Sequence, residues 1–343
     1  MDFSRLEEQF LEILNEELVP AKGCTEPIAI AFAGAKAREV LGKIPTEIII
    51  EASANLIKNI RCVTVPKTNN LVGIEASALV GVVGGDSSLE LEVISNLKAK
   101  HLKLVNELLL KDMVKVRLLE TTLKLHFRFI ARVNDEEVII EIKNLHTNIV
   151  KIMKNNEVIF EKNNISEEYF GVETDRSNLS VENIMTFVEN VELIKVKPLL
   201  DQQIKANMAI AKKGLEKSFG VSIGKTILKH DQSVFGKIKA YTAAASEARM
   251  SGCSLPVITN SGSGNQGITT SVPVIIFARN KKLGKEKLYR ALLMSNLLTI
   301  YQKSFIGRLS AFCGAISAAV SSGAAFTYLS GGNIDQIKMT ITN

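Results

Sequence analysis

The chain has no tryptophan, and aromatic residues make up only 6% of it. Nucleic-acid surfaces need clustered cations with stacking rings between them. Here Lys and Arg are interleaved with acids and the net charge is only +6, so no nucleic-acid partner is expected. Cysteine is scarce too: four in 343 residues, none paired at CxxC spacing. That excludes a zinc ribbon and a ferredoxin-type cluster loop. The four histidines, His101, His126, His146 and His230, are scattered and form no ligand pair. A Leu-rich membrane run is also missing. Ala311–Leu329 carries no charge but is dominated by Ala, Ser and Gly, which transfer weakly into lipid. It predicts a tightly packed buried helix and no membrane partner. The opening residues Met1-Asp2-Phe3-Ser4 show no basic start leading into an apolar stretch. With widely spaced thiols, this predicts a cytoplasmic protein.

What is present suits a sizeable core. Hydrophobic residues make up 46% of the chain, and the length suggests two domains. Leu6, Phe10, Ile13, Leu14 and Leu18 form one helical stripe over residues 4–18, with Ser4 and Glu7 at capping-box spacing. A small-residue helix is expected over 28–41 and a strand over 46–52. Residues 66–90 read as irregular, followed by a helix over 88–97. From Leu123, apolar residues alternate with Lys124, His126 and Arg128, the period of a half-buried strand. This predicts an antiparallel meander over 113–162, with His126 on its polar face. From Ser180 the pattern is helical. The expected fold class is α+β: a mixed α/β region, 1–179, followed by a mainly helical domain, 180–343.

Three motifs carry the chemistry. In Gly23-Cys24-Thr25-Glu26-Pro27, Thr25 is the expected N-cap and Pro27 a helix starter. A thiol there is acidified by the helix dipole. Cys24 is either a metal ligand, a catalytic thiol or a small buried residue, and Glu26 beside it is a candidate catalytic carboxylate. Asn260-Ser261-Gly262-Ser263-Gly264-Asn265-Gln266-Gly267 is a polar, glycine-rich loop between apolar segments. Successive N–H groups in such a turn can cradle a carboxylate or phosphate. Cys313 opens a run of small residues that would admit either a neighbouring helix or a bulky inorganic group. Cys62 reads as a core strand cysteine and Cys253 as a turn residue. Lys58, Arg249, Lys303 and Arg308 are candidate partners for a substrate carboxylate.

Gly-Cys-Thr-Glu-Pro, Asn-Ser-Gly-Ser-Gly-Asn-Gln-Gly and Cys-Gly-Ala-Ile-Ser-Ala together resemble the L-cysteine desulfidase family. That family is related to the α chain of iron–sulfur L-serine dehydratases. The resemblance implies a [4Fe–4S] lyase without pyridoxal phosphate that converts L-cysteine to pyruvate, ammonia and hydrogen sulfide, with L-serine as a second substrate. It makes Cys24 and Cys313 cluster ligands. It assigns Asn260, Ser261, Gly262, Ser263, Gly264, Asn265 and Gln266 to the amino-acid substrate. It places a third ligand beyond Asn343, in a stretch this chain would then lack by C-terminal truncation. Two other readings stay open. One is a pyridoxal-phosphate lyase using Lys225, Lys229 or Lys237, which needs alternating strands and helices. The other is an amino-acid-binding protein without the cluster. A homodimer is the expected assembly.

Overall fold

A computed structural model describes residues 2–23, 25–162, 174–307 and 313–343. In chain order the elements are α1 (Phe3–Glu17), β1 (Pro20–Lys22), α2 (Thr25–Leu41), β2 (Glu47–Ala52), α3 (Ala54–Ile60), α4 (Gly73–Gly84), a 3-10 turn (Ser87–Glu92), α5 (Ala99–Leu109) and β3 (Val114–Leu118). The meander strands follow: β4 (His126–Val133), β5 (Glu136–Lys143), β6 (Ile149–Lys154) and β7 (Glu157–Glu161). The remainder is α6 (Val181–Asn190), α7 (Leu193–Glu216), α8 (Ile223–His230), α9 (Val234–Met250), β8 (Pro256–Ile258), α10 (Gly264–Asn280), α11 (Lys285–Ile306), α12 (Ala315–Leu329) and α13 (Ile334–Thr342). The class is α+β, with the sheet in the first half and helices in the second.

The chain divides into two compact units. The sheet unit holds residues 22–171 and 250–254, and the helical unit holds 1–21, 172–249 and 255–343. This differs from a division at residue 180 in two places. The first helix belongs with the helical unit because its apolar stripe packs there, Phe10 against Phe187 at 5.3 Å between ring centroids. The short segment 250–254 returns to the sheet unit, where Thr64 N donates to Met250 O at 3.3 Å. Asp2, not Ser4, caps α1: its Oδ1 accepts from Ser4 N at 3.3 Å.

The sheet runs β3-β2-β4-β5-β6-β7, antiparallel except for the parallel pair β2 and β3. The antiparallel meander expected over 113–162 therefore holds only from β4 to β7, and β3 instead lies on the far side of β2. One face carries Ile48, Ile50, Phe127, Phe129, Ile140 and Ile142, all fully buried. On the other, residues in register across six strands alternate in sign: Arg117, Glu51, Arg128, Glu141, Lys151 and Glu161. Cross-strand opposite charges contribute about 0.2–1 kcal/mol per pair. A one-residue slip would turn this row into the core, so the charges specify register as well as stability. His126 stands at the end of this polar face, as expected, but is buried there. Its Nε2 is 2.7 Å from Glu141 Oε1 and its Nδ1 is 3.0 Å from Thr121 Oγ1.

Burial pushes the Glu141 carboxyl up, but bonds from His126 and Lys143 and the charges of Lys143 and Arg128 outweigh it and hold the pKa at about 2. A depressed folded pKa means stability that is complete above the ordinary value of 4.5 and lost as pH falls toward about 2. Glu141→Gln should remove up to about 3 kcal/mol of that acid-sensitive stability. Denaturant midpoints followed from neutral pH to pH 2 should show a flatter acid limb for the variant than for the wild type.

Residues read as irregular over 66–90 contain α4, which is buried along nearly its whole length from Gly73 to Val83. A helix apolar on every side has no stripe to detect. Cys62 follows α3 in a turn and is exposed, not in a core strand. The helix expected over 88–97 is the 3-10 turn, and α5 starts later, at Ala99. Helices α2 and α4 approach closely: a Cβ on Gly81 would lie 2.0 Å from the Ala31 carbonyl oxygen. Gly81→Ala should therefore destabilise the protein by about 1–3 kcal/mol, read as a lower thermal midpoint.

In the helical unit, α10 and α11 are buried along most of their length. Helix α12 packs beside both, which its Ala, Ser and Gly content allows. Among the described residues, no helix is long and apolar enough to cross a membrane.

Candidate functional site

The Asn260–Gly267 segment joins β8 to α10. Asn260 and Ser263 exchange backbone hydrogen bonds at 3.1 and 3.0 Å. Between them Ser261 (φ 49°) and Gly262 (φ 75°) both adopt left-handed backbone, a reversal that glycine accommodates. Ser263 then caps α10, its Oγ accepting from Gln266 N at 3.5 Å. The next two amides open the helix, where the N–H groups have no intrahelical acceptor.

Below this turn lies a lattice of buried amides. Asn260 Nδ2 donates to Asn296 O and Asn296 Oδ1 at 3.2 and 3.1 Å. Asn296 and Gln203 exchange bonds at 3.0 and 2.9 Å. Asn207 Nδ2 reaches Ile258 O, Gly267 O and Ser271 Oγ at 3.2, 3.0 and 2.9 Å, while its Oδ1 accepts from Ile258 N at 2.8 Å. Gln203, Asn207, Asn260 and Asn296 are each fully buried. Gln266 Nε2 donates to Asn260 O at 2.8 Å, and Ser261 Oγ to Asn260 Oδ1 at 2.9 Å. Of the loop residues expected at the substrate, Asn260, Ser261, Gly264 and Gln266 thus turn inward, while Gly262, Ser263 and Asn265 are half-buried.

Arg249 ends α9 beside the start of α10. It is buried, and its Nη1 donates to Asn265 Oδ1 at 3.1 Å. A Cβ on Gly264 would lie 2.3 Å from Arg249 Nε, so glycine makes room for the guanidinium. Lys303, late in α11, is also buried. Lys58 is exposed in the sheet unit, and Arg308 lies outside the described residues. A guanidinium and the positive end of a helix, side by side, have the chemistry that could hold a carboxylate.

The glycine loop and the Cys313 motif come together. A Cβ on Gly314 would fall 1.4 Å from Gln266 Oε1, so the turn bearing Cys313 sits on the Gln266 amide. Cys313 itself is exposed. Cys24 lies outside the described residues, and Glu26, half-buried in the first turn of α2, belongs to the sheet unit with Cys62 and Cys253. Among the described residues, no three His, Cys, Asp or Glu side chains gather as metal ligands. Those residues therefore do not assemble the donor set of a [4Fe–4S] cluster, although exposed Cys313 is chemically suited to be one ligand. Of the lysines considered for pyridoxal phosphate, Lys229 is exposed, Lys237 half-buried, and Lys225 is bonded to Glu216 O and Ser218 Oγ at 3.2 and 3.3 Å. The sheet in this unit, β1 with β8, has two strands, far from the layered α/β architecture such an enzyme needs.

Sequence reading missed Gln203, Asn207 and Asn296. Each is a polar residue on an otherwise buried helical surface, and that mismatch was the available signal. Asn207→Ala would strand several backbone groups in the core and should cost about 3 kcal/mol. Asn207→Asp should do comparable damage by placing a charge there. Chemical denaturation of both variants measures this.

The sequence profile of the serine dehydratase alpha chain family matches residues 95–343. A UPF0597 protein of Treponema denticola is 47% identical over 342 residues, an alignment taking in 98% of this chain and 79% of the relative. UPF0597 proteins of Lachnoclostridium phytofermentans and Actinobacillus pleuropneumoniae are 48% and 37% identical, over 98% and 99% of this chain and 80% and 79% of theirs. These likenesses point to a dehydratase or lyase type of enzyme. By the profile match over residues 95–343, most of its length, the chain belongs to the serine dehydratase alpha chain family.

Proposed function

We propose that this protein is an ammonia-releasing lyase that eliminates the β-substituent of a small L-amino acid. L-Cysteine is its main substrate, giving pyruvate, ammonia and hydrogen sulfide, and L-serine is the second. The observation carrying this reading is Arg249, buried against Asn265 at the start of α10. A buried guanidinium beside helix-terminal amides suits the α-carboxylate common to both amino acids. Two N–H donors of arginine can grip a carboxylate in one plane, which a lysine cannot reproduce.

In this reading Arg249 and the first amides of α10 bind and orient the carboxylate. Asn265 Oδ1, already an acceptor for Arg249, aligns the guanidinium. Half-buried Ser263 and Asn265 line the mouth of the site and offer polar groups to the substrate amine. The amide lattice beneath keeps the loop backbone from rearranging and excludes water from below. The α-proton passes to a base and the β-substituent departs as hydrogen sulfide (or as water from L-serine), leaving an aminoacrylate that tautomerises to an imine and takes up one water to give pyruvate and ammonia. A [4Fe–4S] cluster is the cofactor that the family likeness implies, and iron and sulfide analysis after anaerobic reconstitution tests it.

Anaerobically reconstituted protein should form pyruvate from L-cysteine together with stoichiometric sulfide. Formation of pyruvate from neither L-cysteine nor L-serine would overturn the proposal. Arg249→Lys should raise KM for L-cysteine by about tenfold or more with a smaller change in kcat, because it weakens ground-state recognition of the carboxylate.

A further inference from the structure

Gln266 occupies an unusual position among the loop residues. On one side its Nε2 donates to the Asn260 carbonyl at 2.8 Å, and Asn260 is anchored to Asn296 at 3.1 Å. On its other side lies Gly314, directly after Cys313. A Cβ on Gly314 would come within 1.4 Å of Gln266 Oε1, 2.3 Å of Cδ and 2.9 Å of Cγ. These are distances no real Cβ adopts, and they involve the body of the side chain as well as its tip. The Gln266 side chain is 2% exposed, so it has no solvent route by which to move aside.

We infer that Gln266 is a positioning residue that locks the Cys313–Gly314 turn to the Asn260–Gly267 loop, so that the thiol and the substrate loop are held as one body. The inference rests on the lyase reading only in taking this loop as the place where the amino acid binds. Gln266 therefore acts through its neighbours and not as a substrate contact. A side chain at 314 fits only if the Gln266 amide swings away, which breaks its bond to Asn260 and frees the Cys313 turn. Removing the Gln266 side chain abolishes the clash, so the two substitutions must not act independently.

A double-mutant cycle on the full chain tests this with Gly314→Ala, Gln266→Ala and the combination. The primary readout is the rate of iodoacetamide alkylation at Cys313, followed by peptide mass spectrometry. Because Cys313 is exposed, this readout needs no turnover. Gly314→Ala should change the rate, and adding Gln266→Ala should return it to the value of Gln266→Ala alone. The coupling should be about 3- to 100-fold, the range for residues in contact. Independent multiplication of the two effects, or an unchanged rate in Gly314→Ala, would overturn the inference. If Gly314→Ala does not fold, recovery of folding in the double variant supports it, and failure of both variants counts against it. Pyruvate assays on the same proteins should show KM for L-cysteine following the alkylation pattern. A wild type that makes no pyruvate would sink the lyase reading while leaving the alkylation cycle to decide the role of Gln266.

Discussion

The helical unit depends on backbone groups that have no secondary-structure partner and are paid in side-chain amides instead. The chain must leave β8, reverse over Ser261 and Gly262 and enter α10 while buried. Such a reversal strands carbonyl and N–H groups, and an unpaired one costs about 1–3 kcal/mol. Asn207 meets this demand for Ile258 and Gly267, Gln266 meets it for the Asn260 carbonyl, and Asn296 with Gln203 holds the Asn260 side chain. Every member is satisfied by another, so the lattice rigidifies the loop. Half-buried Ser263 and Asn265 are then held in place, with Arg249 bonded to Asn265.

The sheet unit meets the problem of specification differently. Its backbone bonds are satisfied within the ladder, and what remains open is register. The apolar face alone would accept a two-residue shift, because the side-chain period is two. The alternating row from Arg117 to Glu161 spans all six strands. It belongs to the face that the core does not police. Buried Glu141 is its most constrained member, held ionised by His126, Lys143 and Arg128.

Much of the fold was legible in the residues. The meander, the α1 stripe and the helical second half follow from side-chain period, which is a local property. Helix α4 was not legible, since burial on all sides erases the period. Strand alternation put His126 on the polar face, but not its burial there against Glu141 and Thr121, partners that alternation cannot reveal. For the site, the loop and Cys313 were visible as motifs. The helices that support the loop were not, since single amides in apolar helices have no pattern until their partners are known.

By itself, the sequence determined the class of the fold and displayed the short glycine- and cysteine-bearing motifs, because composition and period act over a few residues. Only the tertiary structure decided that Gln266 faces inward, that Arg249 lies against Asn265, and that Gly314 seats the Cys313 turn on the loop. Those facts join residues on different helices. Their physical cause is close packing around buried polar groups, which depends on every neighbour at once and is written in no single stretch of chain.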